Sequence, residues 1–191
     1  MAALATPVNL VPFISVDVET TGLDPRLDHI VEIGAVKVLG GNVIDEFSTL
    51  VWIDHTVPLT ARRVHGINNA MLVGKPPVGE AVRMLLDFAG DNPLVEHSHK
   101  AFDIAFLERV LGKQIDPPCL NTCTLSRKLF PFYRSHSLAE CCRRFQIEND
   151  QAHRALSDAR ATATLLVKLL DACSQRYPRL QDLVEIASVQ R

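Results

Sequence analysis

Phe13-Ile14-Ser15-Val16-Asp17-Val18-Glu19-Thr20-Thr21-Gly22 is the stretch whose reading decides the fold. Its β-branched and aromatic residues run up to a Thr-Thr-Gly break, which predicts a buried strand ending in a tight turn. Residues two apart in a strand share a face, so the carboxylates of Asp17 and Glu19 emerge side by side. Two like charges at the end of an apolar strand repel and lose hydration. They are tolerated where a proton is shared, where a cation sits between them, or where both are solvated at an ordinary strand end.

Outward from this strand, His29 to Val38 reads as a second strand with Val31, Ile33 and Ala35 alternating on one face. Gly40-Gly41-Asn42 is a hairpin signal, and Val43 to Val51 is the third strand of an antiparallel meander. Pro58 to Ile67 is a short helical element stopped by Gly66, and Pro76-Pro77 opens a helix with Val78, Val82, Leu85, Leu86 and Ala89 on one stripe. Leu94 to His97 fits a fourth strand, followed by a helix from about Phe102 with Phe106 and Val110 inward. Further helices are expected over Thr122–Phe130, Ser137–Phe145, Leu156–Ala172 and Leu180–Ala187. A meander followed by strand-helix alternation implies an α/β fold with a central mixed sheet flanked by helices. No linker divides the chain, so a single domain over 1–191 is expected, with a core of about 11–171 and a helical appendage over 172–191.

The chain is 47% apolar with both charge signs well represented, which excludes disorder. Its formal charge of −2 excludes a global basic field, so polyanion binding has to come from local cations or metal. The opening segment lacks a basic n-region and a long apolar run, and no segment is apolar for long enough to span a bilayer; a cytoplasmic protein without membrane contact is the expectation. Cys119, Cys123, Cys141, Cys142 and Cys173 form an odd set without CxxC spacing and read as reduced structural thiols.

Two more acids stand at helix starts: Asp103 within Ala101-Phe102-Asp103-Ile104, and Asp158 within His153-Arg154-Ala155-Leu156-Ser157-Asp158-Ala159. Each alone is an ordinary partner for a helix dipole. His153 precedes Asp158 by five positions, about 140° on a regular helix, so both reach one cleft only if His153 stands in the loop before the helix.

Together these segments resemble the DnaQ-like, or DEDDh, 3′-to-5′ exonucleases of the ribonuclease H-like fold, from about Val11 to Asp171. Asp17 to Gly22 resembles the first exonuclease motif, Phe102-Asp103 the second, and His153 to Ala159 the third; Val64-His65-Gly66-Ile67 is similar to the family's HGI segment. The layout resembles the exonuclease domains of bacterial replicative polymerases and their free-standing relatives. The resemblance implies that Asp17, Glu19, Asp103 and Asp158 hold two Mg²⁺, for which Mn²⁺ substitutes. Asp17 would bridge both ions, Glu19 and Asp158 would complete the first, and Asp103 would support the second through water. It further implies His153 as general base, release of nucleoside 5′-monophosphates, and terminal-nucleotide contacts from Thr20, Thr21, Gly22, Leu23 as a wedge, and His65 at sugar or phosphate.

The implied partner is a single-stranded 3′ end, DNA over RNA. A proofreading or trimming subunit of a polymerase complex, an exoribonuclease, and a non-catalytic end-binding module are the alternatives. Two positions depart from the family pattern: Ser98-His99, or His97-Ser98 with a one-residue insertion, stands where His-Asn is usual, and Asn121 where many members carry Asp.

Overall fold

The computed structural model describes residues 4–189. At its centre is a five-stranded sheet in the order β3-β2-β1-β4-β5: β1 (Phe13–Thr20), β2 (Ile30–Leu39), β3 (Asn42–Leu50), β4 (Leu94–Glu96) and β5 (Cys119–Asn121). β1, β2 and β3 pair antiparallel, whereas β4 joins β1 and β5 joins β4 in parallel. This is the mixed sheet expected from the sequence, with the acid-bearing strand in the middle. The fifth strand has no counterpart in the sequence reading: three residues behind Pro117-Pro118 are too few to display an alternation.

The helices are α1 (Leu59–His65), α2 (Asn69–Leu72), α3 (Val78–Ala89), α4 (Phe102–Leu111), α5 (Thr122–Leu129), α6 (Leu138–Phe145), α7 (Ala155–Cys173) and α8 (Leu180–Ala187). All except the one-turn α2 lie within a few residues of their expected spans. Gly66 closes α1 at φ 75°, a left-handed position that glycine adopts without strain.

On one face of the sheet, Ile14, Val16 and Val18 of β1 and Ile33 and Ala35 of β2 pack against α3 and α4 through Val82, Leu85, Ile104 and Leu107. On the other, Phe13, Val95 and Leu120 meet Leu166 of α7 and Leu180 and Leu183 of α8, while Val36 and Val38 meet Ala159 and Ala163. The final helix is thus fastened to the sheet by buried leucines. Burial on both faces corrects the one-faced reading of β2, because α7 covers the side that the Val31-Ile33-Ala35 alternation leaves out. All five cysteines are buried, and among the described residues none forms a disulfide.

The start of α7 lies against β2 at Gly34, which pairs with Asp17 of β1. A Cβ there would sit 2.3 Å from both the Ala155 carbonyl carbon and the Leu156 nitrogen. Only a hydrogen fits between this strand and the helix that carries Asp158. Gly34→Ala is therefore expected to push the helix start away and cost about 2–3 kcal/mol, read as a lowered urea midpoint together with reduced turnover.

Candidate active site

Asp17 and Glu19 leave β1 on the face that α7 covers, as their spacing requires, and Asp158 meets them from the first turn of α7. One carboxylate oxygen from each of these three residues lies within 4.8 Å of the others. Asp103, buried in the first turn of α4, reaches the same strand end, where its Oδ1 accepts a 2.9 Å hydrogen bond from the Val18 amide between the paired acids.

Crowding changes the acidity of the group. Burial, then the charges of Asp103, Asp158, Glu19 and Glu32, hold the Asp17 carboxyl well above the usual carboxylate range. Burial and Asp158 push Glu19 up to about 8, against the pull of Arg154. Burial and Glu96 raise Asp103, partly offset by the Val18 amide. A site made only of carboxylate oxygens that resist ionising together fits hard divalent cations, which neutralise the repulsion and take oxygen ligands. The sign of the resulting pH dependence follows. A carboxyl raised from 4.5 to about 8 favours the folded state below its unfolded value, and that contribution is lost as pH climbs through about 8. The metal-free protein should therefore melt several degrees lower at pH 9 than at pH 6, and added Mg²⁺ should flatten the dependence.

His153 stands in the loop before α7, exposed, with a left-handed backbone at φ 66°. That conformation is uncommon for a side-chain-bearing residue and is held by neighbours. The His153 amide donates to Asp158 Oδ2 at 2.8 Å, and Asn149 Nδ2 donates to Asp158 Oδ1 at 2.6 Å. Ser157 Oγ in turn donates to Asn149 Oδ1 at 2.7 Å. The carboxylate of Asp158 and the loop carrying the imidazole are thus built as one unit.

The turn after β1 is tied around Asp28. Thr20 Oγ1 donates to the Gly22 carbonyl at 2.6 Å, Thr21 Oγ1 donates to Asp28 Oδ1 at 3.3 Å, and the Asp24 amide donates to Asp28 Oδ2 at 2.9 Å. This knot holds Leu23 outward at 84% exposure. His65 is buried; its Nδ1 accepts from the Ile67 amide at 3.0 Å, and burial lowers its pKa. The proton consequently sits on Nε2, which is sealed from solvent and faces the Thr20 backbone.

Two buried glutamates, which the sequence reading passed over, fix the helices that deliver the remaining acids. Neither α4 nor α7 has a side-chain cap of its own. Glu96 at the end of β4 accepts from the Ile104 amide at 3.1 Å in the first turn of α4. Glu32 of β2, opposite Glu19 in the register, accepts from the Ala155 amide at 3.0 Å at the start of α7. Glu32 also takes a two-pronged bond from Arg154, with Nε at 3.1 Å and Nη2 at 2.7 Å. A carboxylate at a helix start satisfies an otherwise unpaired amide and complements the dipole.

The departures from the family pattern belong to this arrangement. Ser98 Oγ and Asn121 Nδ2 each donate to Glu96 at 2.9 Å, and an aspartate at position 121 would set a second carboxylate there instead of a donor. Asn121 Oδ1 also caps α5 by accepting from the Thr124 amide at 3.1 Å. His97 is held between Thr122 Oγ1 at 2.8 Å and the His136 carbonyl at 2.9 Å, and burial drives it down to about 4. It is a neutral structural ring.

Comparison with known proteins agrees with this geometry. The exonuclease family model (RNase_T) matches residues 14–166. The chain is 37% identical over 169 residues to the DNA polymerase III subunit epsilon of Aquifex aeolicus, covering 86% of this chain and 83% of that protein. It is 36% identical over 175 residues to the PolC-type DNA polymerase III of Bacillus subtilis, covering 89% of this chain but only 12% of that much longer protein. Among solved structures, exonuclease X in complex with 5′-overhanging duplex DNA superposes with a TM-score of 0.73 at 26% identity, over 91% of this chain and 98% of that one. The zinc-bound complex of Escherichia coli exonuclease I with single-stranded DNA shares the fold, with a TM-score of 0.75 at 18% identity over 87% of this chain and 42% of that one. With the motifs of the DnaQ-like exonucleases in order, the family model matched over residues 14–166, and the epsilon subunit matched over most of both chains, the chain belongs to the exonuclease family and is a nuclease.

Proposed function

We propose that the protein is a 3′-to-5′ exonuclease that removes nucleotides one at a time from single-stranded DNA ends, releasing nucleoside 5′-monophosphates, with two Mg²⁺ as its ions and Mn²⁺ as a substitute. The observation that carries this reading is the approach of Asp17, Glu19 and Asp158 to within 4.8 Å, with Asp103 beside them. Asp17, Glu19 and Asp158, with Asp103, would hold the ions. When bound, the ions would supply charge neutralisation at the phosphodiester and acidify the attacking water.

The chain's own groups do the rest. His153, exposed in the loop whose amide holds Asp158, accepts the proton of the attacking water, a role open to an imidazole in that position. The backbone from Thr20 to Leu23 borders the terminal nucleotide, and the Leu23 side chain wedges against its base. His65, buried beside Thr20, would approach the sugar or phosphate. None of these contacts reads a base edge, so cleavage should be insensitive to sequence.

A proofreading subunit in a polymerase assembly is the second reading, favoured by the extended likeness to the Aquifex aeolicus epsilon subunit. Co-purification with a polymerase tests it. Among the described residues no helix is long and apolar enough to cross a membrane. The direct test incubates the protein with end-labelled single-stranded DNA and RNA of one sequence, in Mg²⁺, Mn²⁺ or chelator. Stepwise shortening from the 3′ end, with DNA preferred and chelator silent, is expected; cleavage in chelator or from the 5′ end would overturn the reading.

A further inference from the structure

We propose that the α5–α6 connection, residues 130–137, with the adjoining end of α5, is a track for single-stranded nucleic acid upstream of the scissile end. The proposal rests on the exonuclease reading and extends it to a surface outside the acid cleft. The chain carries 20 Lys and Arg against 22 Asp and Glu, yet between positions 127 and 144 five basic residues accompany one acid, Glu140. Glu140 pairs with Arg143 and Arg144. Lys128 and Arg134 have no ion-pair partner among the described residues, and with Arg127 all three are exposed. A polyanion repelled by the carboxylate cleft needs such a local cationic surface beside it.

The aromatic residues supply the second half of the chemistry. Phe132 is 95% exposed, the largest exposure of any big apolar side chain described, and this exposure is not laxity of the loop. Phe130 packs its ring 5.7 Å from Tyr133 and 5.5 Å from Phe145, the Arg144 guanidinium lies 3.6 Å over Tyr133, and buried His136 bonds Ser126 Oγ at 2.8 Å. A braced loop that presents one phenyl ring to solvent amid unpaired cations has the make-up of a base-stacking platform.

The surface is joined to the framework of the cleft at two places. Arg127 contacts the His99 ring, in the segment running from β4 to the helix of Asp103, and α6, which follows the loop, packs through Cys141 on Leu165 and Leu169 of α7, the helix that carries Asp158. A strand whose 3′ end lies at the acids and whose next nucleotides pass over His99 would arrive at Arg127 and Phe132.

The test compares two substrates in the Phe132→Ala/Arg134→Ala variant: an oligo-dT of about twelve nucleotides, long enough to reach the loop, and the p-nitrophenyl ester of thymidine 5′-monophosphate, which occupies the cleft alone. The expected result is a KM for the oligonucleotide raised about 30-fold with kcat within about twofold, a flatter dependence of KM on salt, and ester hydrolysis unchanged. Fluorescence anisotropy of labelled oligo-dT in chelator should show the same weakening without turnover. Wild-type levels of binding and of oligonucleotide KM would overturn the proposal, including the case in which the variant loses only a protein partner. An equal loss on both substrates would overturn it too. Failure of the wild-type protein to hydrolyse the ester or to shorten DNA would count instead against the exonuclease reading, leaving the anisotropy comparison to judge the track.

Discussion

Replacing Asp17 with Asn should lower turnover of single-stranded DNA by at least about 10³-fold while raising the melting temperature of the metal-free protein by a few degrees. Both effects come from one cause. Asp17 sits where burial and four other carboxylates oppose its ionisation, so the uncharged amide relieves repulsion in the folded state. The same amide removes a carboxylate proposed to hold the ions, and with it part of the charge neutralisation they would supply at phosphorus. A loss of activity accompanied by a gain in stability separates this explanation from misfolding, because a damaged fold would move both downward. Thermal melts and single-turnover assays of the same preparation check it. Unchanged turnover would remove Asp17 from the chemistry.

Glu32→Ala is expected to cost about 3–5 kcal/mol of stability, roughly a 10 °C fall in melting temperature, and to slow turnover by about 100-fold. Glu32 is buried, with only 3% of its side chain exposed, whereas the Arg154 guanidinium it holds is 40% exposed. Removing the carboxylate leaves a half-buried cation without its partner and the Ala155 amide without its acceptor. The start of α7 then loses its anchor, and His153 and Asp158 move with it. Glu32→Gln keeps an acceptor for the amide while giving up the charge, so its loss should be about 1–2 kcal/mol. Urea unfolding and kcat measured on both variants test the ranking. Equal effects of Ala and Gln would mean that the charge, not the cap, is what matters.

The acids were legible through the family resemblance, and the local rule that each obeys agreed with it. Asp17 and Glu19 share a face by the two-residue period of a strand, and Asp103 and Asp158 occupy first helical turns. The geometric condition on His153, that it precede the helix, is met: α7 begins at Ala155. Glu32 and Glu96 were not legible, since each looks like a polar interruption in an apolar strand. Glu32 becomes a buried anchor only because Arg154, 122 positions away, folds back onto it. Asn149 is likewise an unremarked polar residue until α7 brings Asp158 to it. Ser98 and Asn121, departures when taken singly, become intelligible as two donors to one buried carboxylate. What escaped the sequence was pairing across long separations, which no window of neighbouring residues displays.

Titrating Mn²⁺ into the metal-free protein at pH 7 by calorimetry, in two buffers of different ionisation enthalpy, bears most directly on the acid cluster as a cation site. The expected result is two ions bound per chain with net release of protons, because Glu19, held near 8, and the still more crowded Asp17 give up protons as the cations arrive. Binding should be lost in Asp17→Asn. An isotherm that the substitution leaves unaltered, or no uptake by the native protein, would contradict the assignment of these carboxylates.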